Sequence, residues 1–156
     1  MAAGFGSPMM KEMNSAELYN RDYYEWTVHN AELLRAGRAD EADLQHIAEE
    51  LEDMGKREKR ALRSRLSLLI SHLLKWHFQP ERRTRSWEAT IRFERRQIEK
   101  LLAEMPSLKE FLAENLEETY RDGVVLAVAD TGLPEDDFPS RCQFNLDQLL
   151  REDHIP

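Results

Sequence analysis

The chain has 156 residues, of which 41% are hydrophobic and 33% charged, with a formal net charge of −8. These are globular rather than disordered proportions, and the length suits one domain with a real core. The single cysteine, Cys142, excludes an intramolecular disulfide and points to a reducing compartment, so a cytoplasmic protein is expected. No apolar run is long enough to span a membrane, and the start, MAAGFGSPMMKEMN, lacks the basic and apolar regions of a secretory signal.

Charge is segregated along the chain. Residues 1–54 carry 4 basic and 12 acidic side chains, residues 55–100 carry 14 and 5, and residues 101–156 carry 4 and 13. Net acidity argues against wholesale nucleic-acid binding, while the basic middle leaves room for a local patch.

In chain order, residues 1–17 read as a flexible arm, 18–145 as a helical bundle domain and 146–156 as a short helix or tail. Five helical stretches are expected and no strand. The first covers Asp22–Ala36, with Tyr23, Trp26, Thr27, Asn30, Leu33 and Leu34 as its inward stripe and Gly37 as its stop. Asp40 is the expected N-cap of the second, whose stripe is Leu44, Ile47, Ala48, Leu51 and Met54, with Gly55 as a C-cap or kink. The third, Lys56–Phe78, turns Leu62, Leu66, Leu69, Ile70, Leu73, Trp76 and His77 to one side until Pro80 forbids its continuation. The fourth starts near Ser86 and closes at Pro106. The fifth starts at a Ser107–Glu110 capping-box spacing and runs to about Asp130, with Gly132 beyond its end. The tail is turn-rich, and Leu146–Arg151 has the pattern of a last short helix. The expected class is an all-α, up-and-down, single-domain bundle of about five helices with an irregular C-terminal tail.

The segment His72–Arg96 concentrates the candidate site residues. Glu94 lies seven residues after Trp87, about 20° from it on a helical wheel, so it falls on an apolar stripe. A carboxylate there needs a partner, and Arg65, His72 and Lys75 are the candidates. The bland reading is an interhelical ion pair that sets how two helices dock; the sharper one is a pocket. Arg82, Arg83 and Arg85 beside a helix N-terminus are candidates for holding an anion, with Trp76 and Trp87 as stacking surfaces, although core tryptophans are the simpler reading. The five-residue spacing of His72 and His77 splays them apart around a helix, unlike the four-residue zinc spacing. His29 and His46 have no ligand-like neighbours in sequence, and the Glu49/Asp53 pair reads as a solvated face. No metal or cofactor is therefore expected. No phosphate loop, dinucleotide fingerprint or nucleophile elbow occurs, so no catalytic residue is nominated.

Taken together, several short motifs resemble the bacterial family catalogued as domain of unknown function 29. They are Leu18-Tyr19 with Asp22 and Trp26, Leu33-Leu34-Arg35-Ala36-Gly37, Ile47-Ala48-Glu49-Glu50-Leu51-Glu52-Asp53-Met54-Gly55, and His72-Leu73-Leu74-Lys75-Trp76 followed by Gln79-Pro80. Arg85-Ser86-Trp87 with Ile91, Pro106-Ser107-Leu108, Thr131-Gly132-Leu133 and Phe138-Pro139 complete them. The resemblance covers roughly residues 18–145, departs at Gln143, where Pro is expected, and implies an all-helical bacterial domain without implying an activity. The candidate binding cluster is Trp26, Glu50, His72, Lys75, Trp76, Arg82, Arg83, Arg85, Trp87 and Glu94. The expected function is a non-enzymatic interaction module whose partner is a protein, self-association included. The alternatives are a nucleic-acid-binding or nucleic-acid-processing protein using residues 72–96 and, more weakly, a metal-dependent hydrolase on Glu50, Asp53, His72 and Glu94.

Overall fold

The computed structural model describes residues 14–151. Its regular elements are α1 (Ser15–Arg21), α2 (Tyr23–Arg35), α3 (Leu44–Phe78), α4 (Arg85–Glu104), α5 (Leu108–Glu114), α6 (Leu116–Thr131) and α7 (Leu146–Leu150), with two 3₁₀ turns at Pro80–Arg82 and Glu135–Asp137. The all-α class expected from the sequence is what forms, with no strand among the described residues. Packing resolves the chain into two compact units, Met1–Gly55 and Lys56–Pro156, and the boundary falls inside α3.

In the first unit, α1 begins at Ser15, so its first three residues fall in the stretch 1–17 expected to be a flexible arm and the rest in the expected bundle; Asn14 caps it by accepting from the Ala16 backbone N–H. Asp22 then caps α2 through the Glu25 N–H at 3.0 Å. The inward face of α2 is narrower than its sequence stripe. Trp26, Asn30 and Leu33 are buried, whereas Tyr23 and Leu34 are exposed. The N-cap of α3 is Asp43, not Asp40: its backbone carbonyl accepts from Ile47 and its carboxylate from the His46 N–H.

The most consequential departure concerns Gly55. No helix ends there; α3 runs through it for 35 residues. Gly55 has no positive φ. Its cost inside a helix is only about 1 kcal/mol, and the residues on either side, Glu49, Glu50, Leu51, Glu52 and Met54 before it and Lys56, Arg57, Glu58, Lys59 and Arg60 after it, are strong helix formers that carry the helix through it.

The second unit holds the large core. Leu62, Leu66, Leu69, Ile70 and Leu73 of α3 pack with Ile91 and Ile98 of α4, Leu112 of α5, Val124 and Ala127 of α6, and Leu146 and Leu149 of α7. Pro80 and Pro106 follow α3 and α4 as the sequence requires. Thr84 caps α4 ahead of Ser86, accepting from the Trp87 N–H at 3.2 Å. Ser107 makes no side-chain cap, and the expected fifth helix breaks at Asn115 into α5 and α6. There the Asn115 side chain donates to the Phe111 carbonyl at 2.8 Å, the local competition with the backbone that makes Asn a poor helix-interior residue. The tail is pinned back onto the helices. The Tyr120 hydroxyl donates to the Pro139 carbonyl at 2.6 Å, and Phe138 packs edge-on against Phe78. Arg95, fully buried, donates from Nε to the Leu149 carbonyl at 2.9 Å and ties α7 to α4.

Gly123 sets the approach of α6 to α3. A Cβ at that position would lie 2.7 Å from Ile70 Cγ2 and 3.0 Å from the Ser67 carbonyl oxygen. Neither obstacle is the tip of a flexible side chain. Gly123→Ala should therefore destabilise the chain by about 1–3 kcal/mol in urea unfolding, although Ala is the better helix former. Gly55→Ala, with open space around it, should stabilise by up to about 1 kcal/mol in the same assay.

Candidate functional site

Each unit contains one polar and aromatic cluster. In the first, Glu50 accepts a hydrogen bond from Tyr19 and another from Tyr23, both at 2.7 Å. Asp43 accepts from Trp26 Nε1 at 3.1 Å and from His46 Nδ1 at 2.7 Å. The His46 ring stacks on Tyr19 with centroids 4.0 Å apart. Asn30 is 2% exposed and fully used: its Oδ1 accepts from Ser15 Oγ and the Asp43 N–H, and its Nδ2 donates to the Trp26 carbonyl. The electrostatics follow these bonds. The Glu50 hydrogen bond pushes the Tyr19 phenol up to about 12, so it stays a neutral donor. Burial pushes Asp43 upward, but the hydrogen bonds from His46 and Trp26 outweigh it and hold the carboxyl below its usual range.

This cluster explains which edge of α3 is covered. Residues 43, 46 and 50 face α1 and α2, and the polar edge wins because three aromatic N–H and O–H groups need acceptors there. The apolar stripe expected to be inward is thereby left outside: Leu44, Leu51 and Met54 are 53%, 62% and 55% exposed.

The second cluster runs through the interior of the second unit. Glu94, 5% exposed, pairs with Arg65 Nη1 at 3.0 Å. Lys75, 4% exposed, donates to Asp130 at 2.8 Å and to His72 Nε2 at 3.4 Å, and its ammonium lies 5.1 Å from the Trp87 ring centroid. His72 Nδ1 is 3.0 Å from the Leu68 carbonyl. A carbonyl only accepts and an ammonium only donates, so His72 carries its proton on Nδ1 and is neutral. Burial is the main cause that holds its pKa below the ordinary 6.5, with the Lys75 charge acting in the same direction. The three N–H groups of Lys75 are thus taken up by a carboxylate, an imidazole and an aromatic face.

The structure therefore brings His72, Lys75, Trp87 and Glu94 into one seam and places Trp26 and Glu50 in the other cluster. Trp76 lies under Arg83, whose guanidinium is 4.9 Å from its ring and donates to its carbonyl at 2.8 Å. Arg82 and Arg85 are exposed. Tyr19, Asp43, His46 and Asp130 were not legible as site residues. Only Tyr19, Tyr23 and Trp26, spaced four and three apart, left a signal in the sequence. Among the described residues no group of three His, Cys, Asp or Glu side chains is placed to hold a metal ion.

An apolar cavity of about 70 Å³ also lies in the second unit, lined by Ile70, Leu74, Phe78, Tyr120, Phe144 and Leu149, with Cys142 at its edge. The Cys142 thiol donates to the Phe144 carbonyl, and burial pushes its pKa up, so it is a protonated packing group rather than an activated nucleophile.

The family described as Domain of unknown function DUF29 matches the chain over residues 18–155. The chain belongs to that family. No curated protein and no solved structure matches it. Membership fits the helical fold and assigns no reaction, and no helix among the described residues is long and apolar enough to cross a membrane.

The seam predicts an asymmetry. Asp130→Ala strands a buried ammonium and should cost about 1–3 kcal/mol. Lys75→Met leaves only a half-exposed carboxylate behind and should cost less, both measured by urea unfolding. Equal costs would mean that Lys75 is not held by Asp130. His72 predicts a pH dependence. Its folded pKa lies below the unfolded value, so its contribution is complete above about pH 6.5 and is lost as the pH falls below it. Unfolding of the parent chain between pH 7.5 and 5 should therefore show a steeper loss of stability than that of His72→Gln, by up to about 1 kcal/mol per pH unit.

Proposed function

We propose that this protein is a non-enzymatic helical module of the bacterial cytoplasm that binds another protein through the exposed apolar edge of α3. The observation that carries the reading is the line of Leu44, Leu51 and Met54, each more than half exposed, on a helix whose residues 51–60 are all exposed. Single exposed leucines are ordinary; three large apolar side chains on one helical edge are the surface that an amphipathic helix of a partner covers. The polar clusters support the same reading from the other side. Their donors and acceptors are satisfied within the fold, so they fix how helices dock and offer a substrate little.

The nucleic-acid alternative is weaker. Arg83 and Lys75 each cover one face, of Trp76 and Trp87 respectively, which leaves the exposed Phe93 beside Arg92 and Arg96 as the open aromatic of the basic segment. Among the described residues no side-chain grouping supports the metal-dependent hydrolase.

The test is a photo-crosslinking side chain placed at Leu51 of the full chain, with the exposed Arg121 as control position. An adduct should form at Leu51 and not at Arg121, and Met54→Asp should reduce it at least about tenfold while changing stability by less than about 0.5 kcal/mol, as befits an exposed site. No adduct above the control would overturn the proposal.

A further inference from the structure

We propose that the outer face of α4 is a second binding surface, one for a short single-stranded stretch of nucleic acid; it lies wholly within the second unit and does not rest on the protein-binding reading above. The observation is a strip of side chains at helical spacing. Arg85, Ala89, Arg92, Phe93, Arg96 and Lys100 are all exposed and fall within an arc of about 100° around the helix. No acid of α4 falls within that arc. Glu88 and Glu99 stand along one edge and Glu104 near the end of the helix, while Glu94 faces the interior. Arg92 bonds to Glu88 at 2.7 Å, an exposed i,i+4 pair of the kind that water screens and a phosphate can displace. Phe93 is 54% exposed in the middle of the strip, and unlike Trp76 and Trp87 it has no cation over its ring among the described residues.

Each partner chemistry makes a different demand on this strip. A nucleotide carries an anion and a flat ring together, and basic side chains around a single open aromatic answer both. A duplex keeps its bases stacked on one another and gives Phe93 nothing to stack on, so the strand must be single. An acidic protein segment would match the charges, but a protein contact needs a contiguous apolar core, and within the strip Phe93 has only the methyl group of Ala89 beside it. A short strand meets the strip alone, within a screening length of about 10 Å. A membrane surface extends past it to the acidic remainder of a chain whose net charge is −8. From Arg85 to Lys100 the strip extends about 22 Å, which sets the site at about four nucleotides, the low end for a single strand. Binding there is sequence-tolerant, since every base has a π face, and weak, with a dissociation constant on the order of 10⁻⁵ M at low salt.

The experiment is fluorescence anisotropy of the full chain with a labelled oligothymidylate of about eight nucleotides. With about four phosphate contacts, the affinity should fall about fiftyfold between about 50 and about 200 mM salt. An abasic oligomer of the same length and charge should bind the parent at least about fivefold more weakly, because it offers Phe93 no base. Phe93→Leu should lose about as much on the oligothymidylate while keeping its salt dependence. Arg85→Gln combined with Lys100→Gln should flatten that dependence from about fiftyfold to about sevenfold. All three side chains are exposed, so the helicity by circular dichroism should match the parent's, and the comparison of the two oligomers on the parent needs no variant. No binding at about 50 mM salt with up to about 500 µM protein overturns the proposal, and so does equal affinity for the abasic oligomer. A labelled glutamate oligomer of the same charge, or phosphatidylserine vesicles, binding the parent as tightly as the oligothymidylate would overturn it too, in favour of an acidic peptide or a lipid surface.

Discussion

The length of α3 constrains everything packed against it. At 35 residues it extends about 50 Å, whereas no other helix among the described residues exceeds 20. Helices of that length cannot cover it from end to end, so some of its surface stays in water, and its sequence reflects where. From Leu62 onward the apolar residues recur at three and four and are buried without exception up to Leu73 on the inward face. Between 51 and 60 the helix is solvated all round, and its stability there comes from the intrinsic helix preference of its Leu, Glu, Met, Lys and Arg residues rather than from burial.

The polar seam of the second unit is best understood as a device of specificity. Replacing an ion pair by apolar groups often stabilises a fold, so Arg65–Glu94 and Lys75–Asp130 are not needed for stability as such. They act by exclusion. Any slip of α4 or α6 along α3 would leave Glu94 or Lys75 buried and alone, at a penalty of several kcal/mol. Gly123 enforces the same register sterically, because only at that position can α6 approach the Ile70 side chain so closely. Two independent constraints, one electrostatic and one of shape, therefore fix the same pair of helices.

How much of this was legible depends on the range over which each signal acts. Pro80, Pro106 and Gly132 act on their own backbone, and the helices end where they stand. The placement of Glu94 on a buried stripe follows from spacing alone, and so does its need for a cation; which cation it takes is a tertiary fact, settled in favour of Arg65. Asp130 was invisible because it sits 55 residues from Lys75 and its own surroundings in sequence are unremarkable for a helix end. The wheel failed for Leu44, Leu51 and Met54 for a different reason. It assumes that the apolar side of a helix faces inward, yet in the first unit the aromatic donors of Tyr19, Tyr23 and Trp26 required the polar side. Gly55 misled for a third reason: the cost of one Gly is about 1 kcal/mol, and the strong helix formers on both sides outweigh it when the whole window is summed.

The exposed run and the buried seam differ in what a charge costs. Where neighbours surround α3, Glu94 and Lys75 are out of water, so the opposite charge must come from another side chain, and finding it fixes a register within the chain. Between 51 and 60 the charges stay in water, where an ion pair is worth little and fixes nothing. The same residue types therefore specify packing in one part of α3 and leave it open in another. What sets the exposed part apart is Leu44, Leu51 and Met54, whose apolar surface no charge on the helix covers.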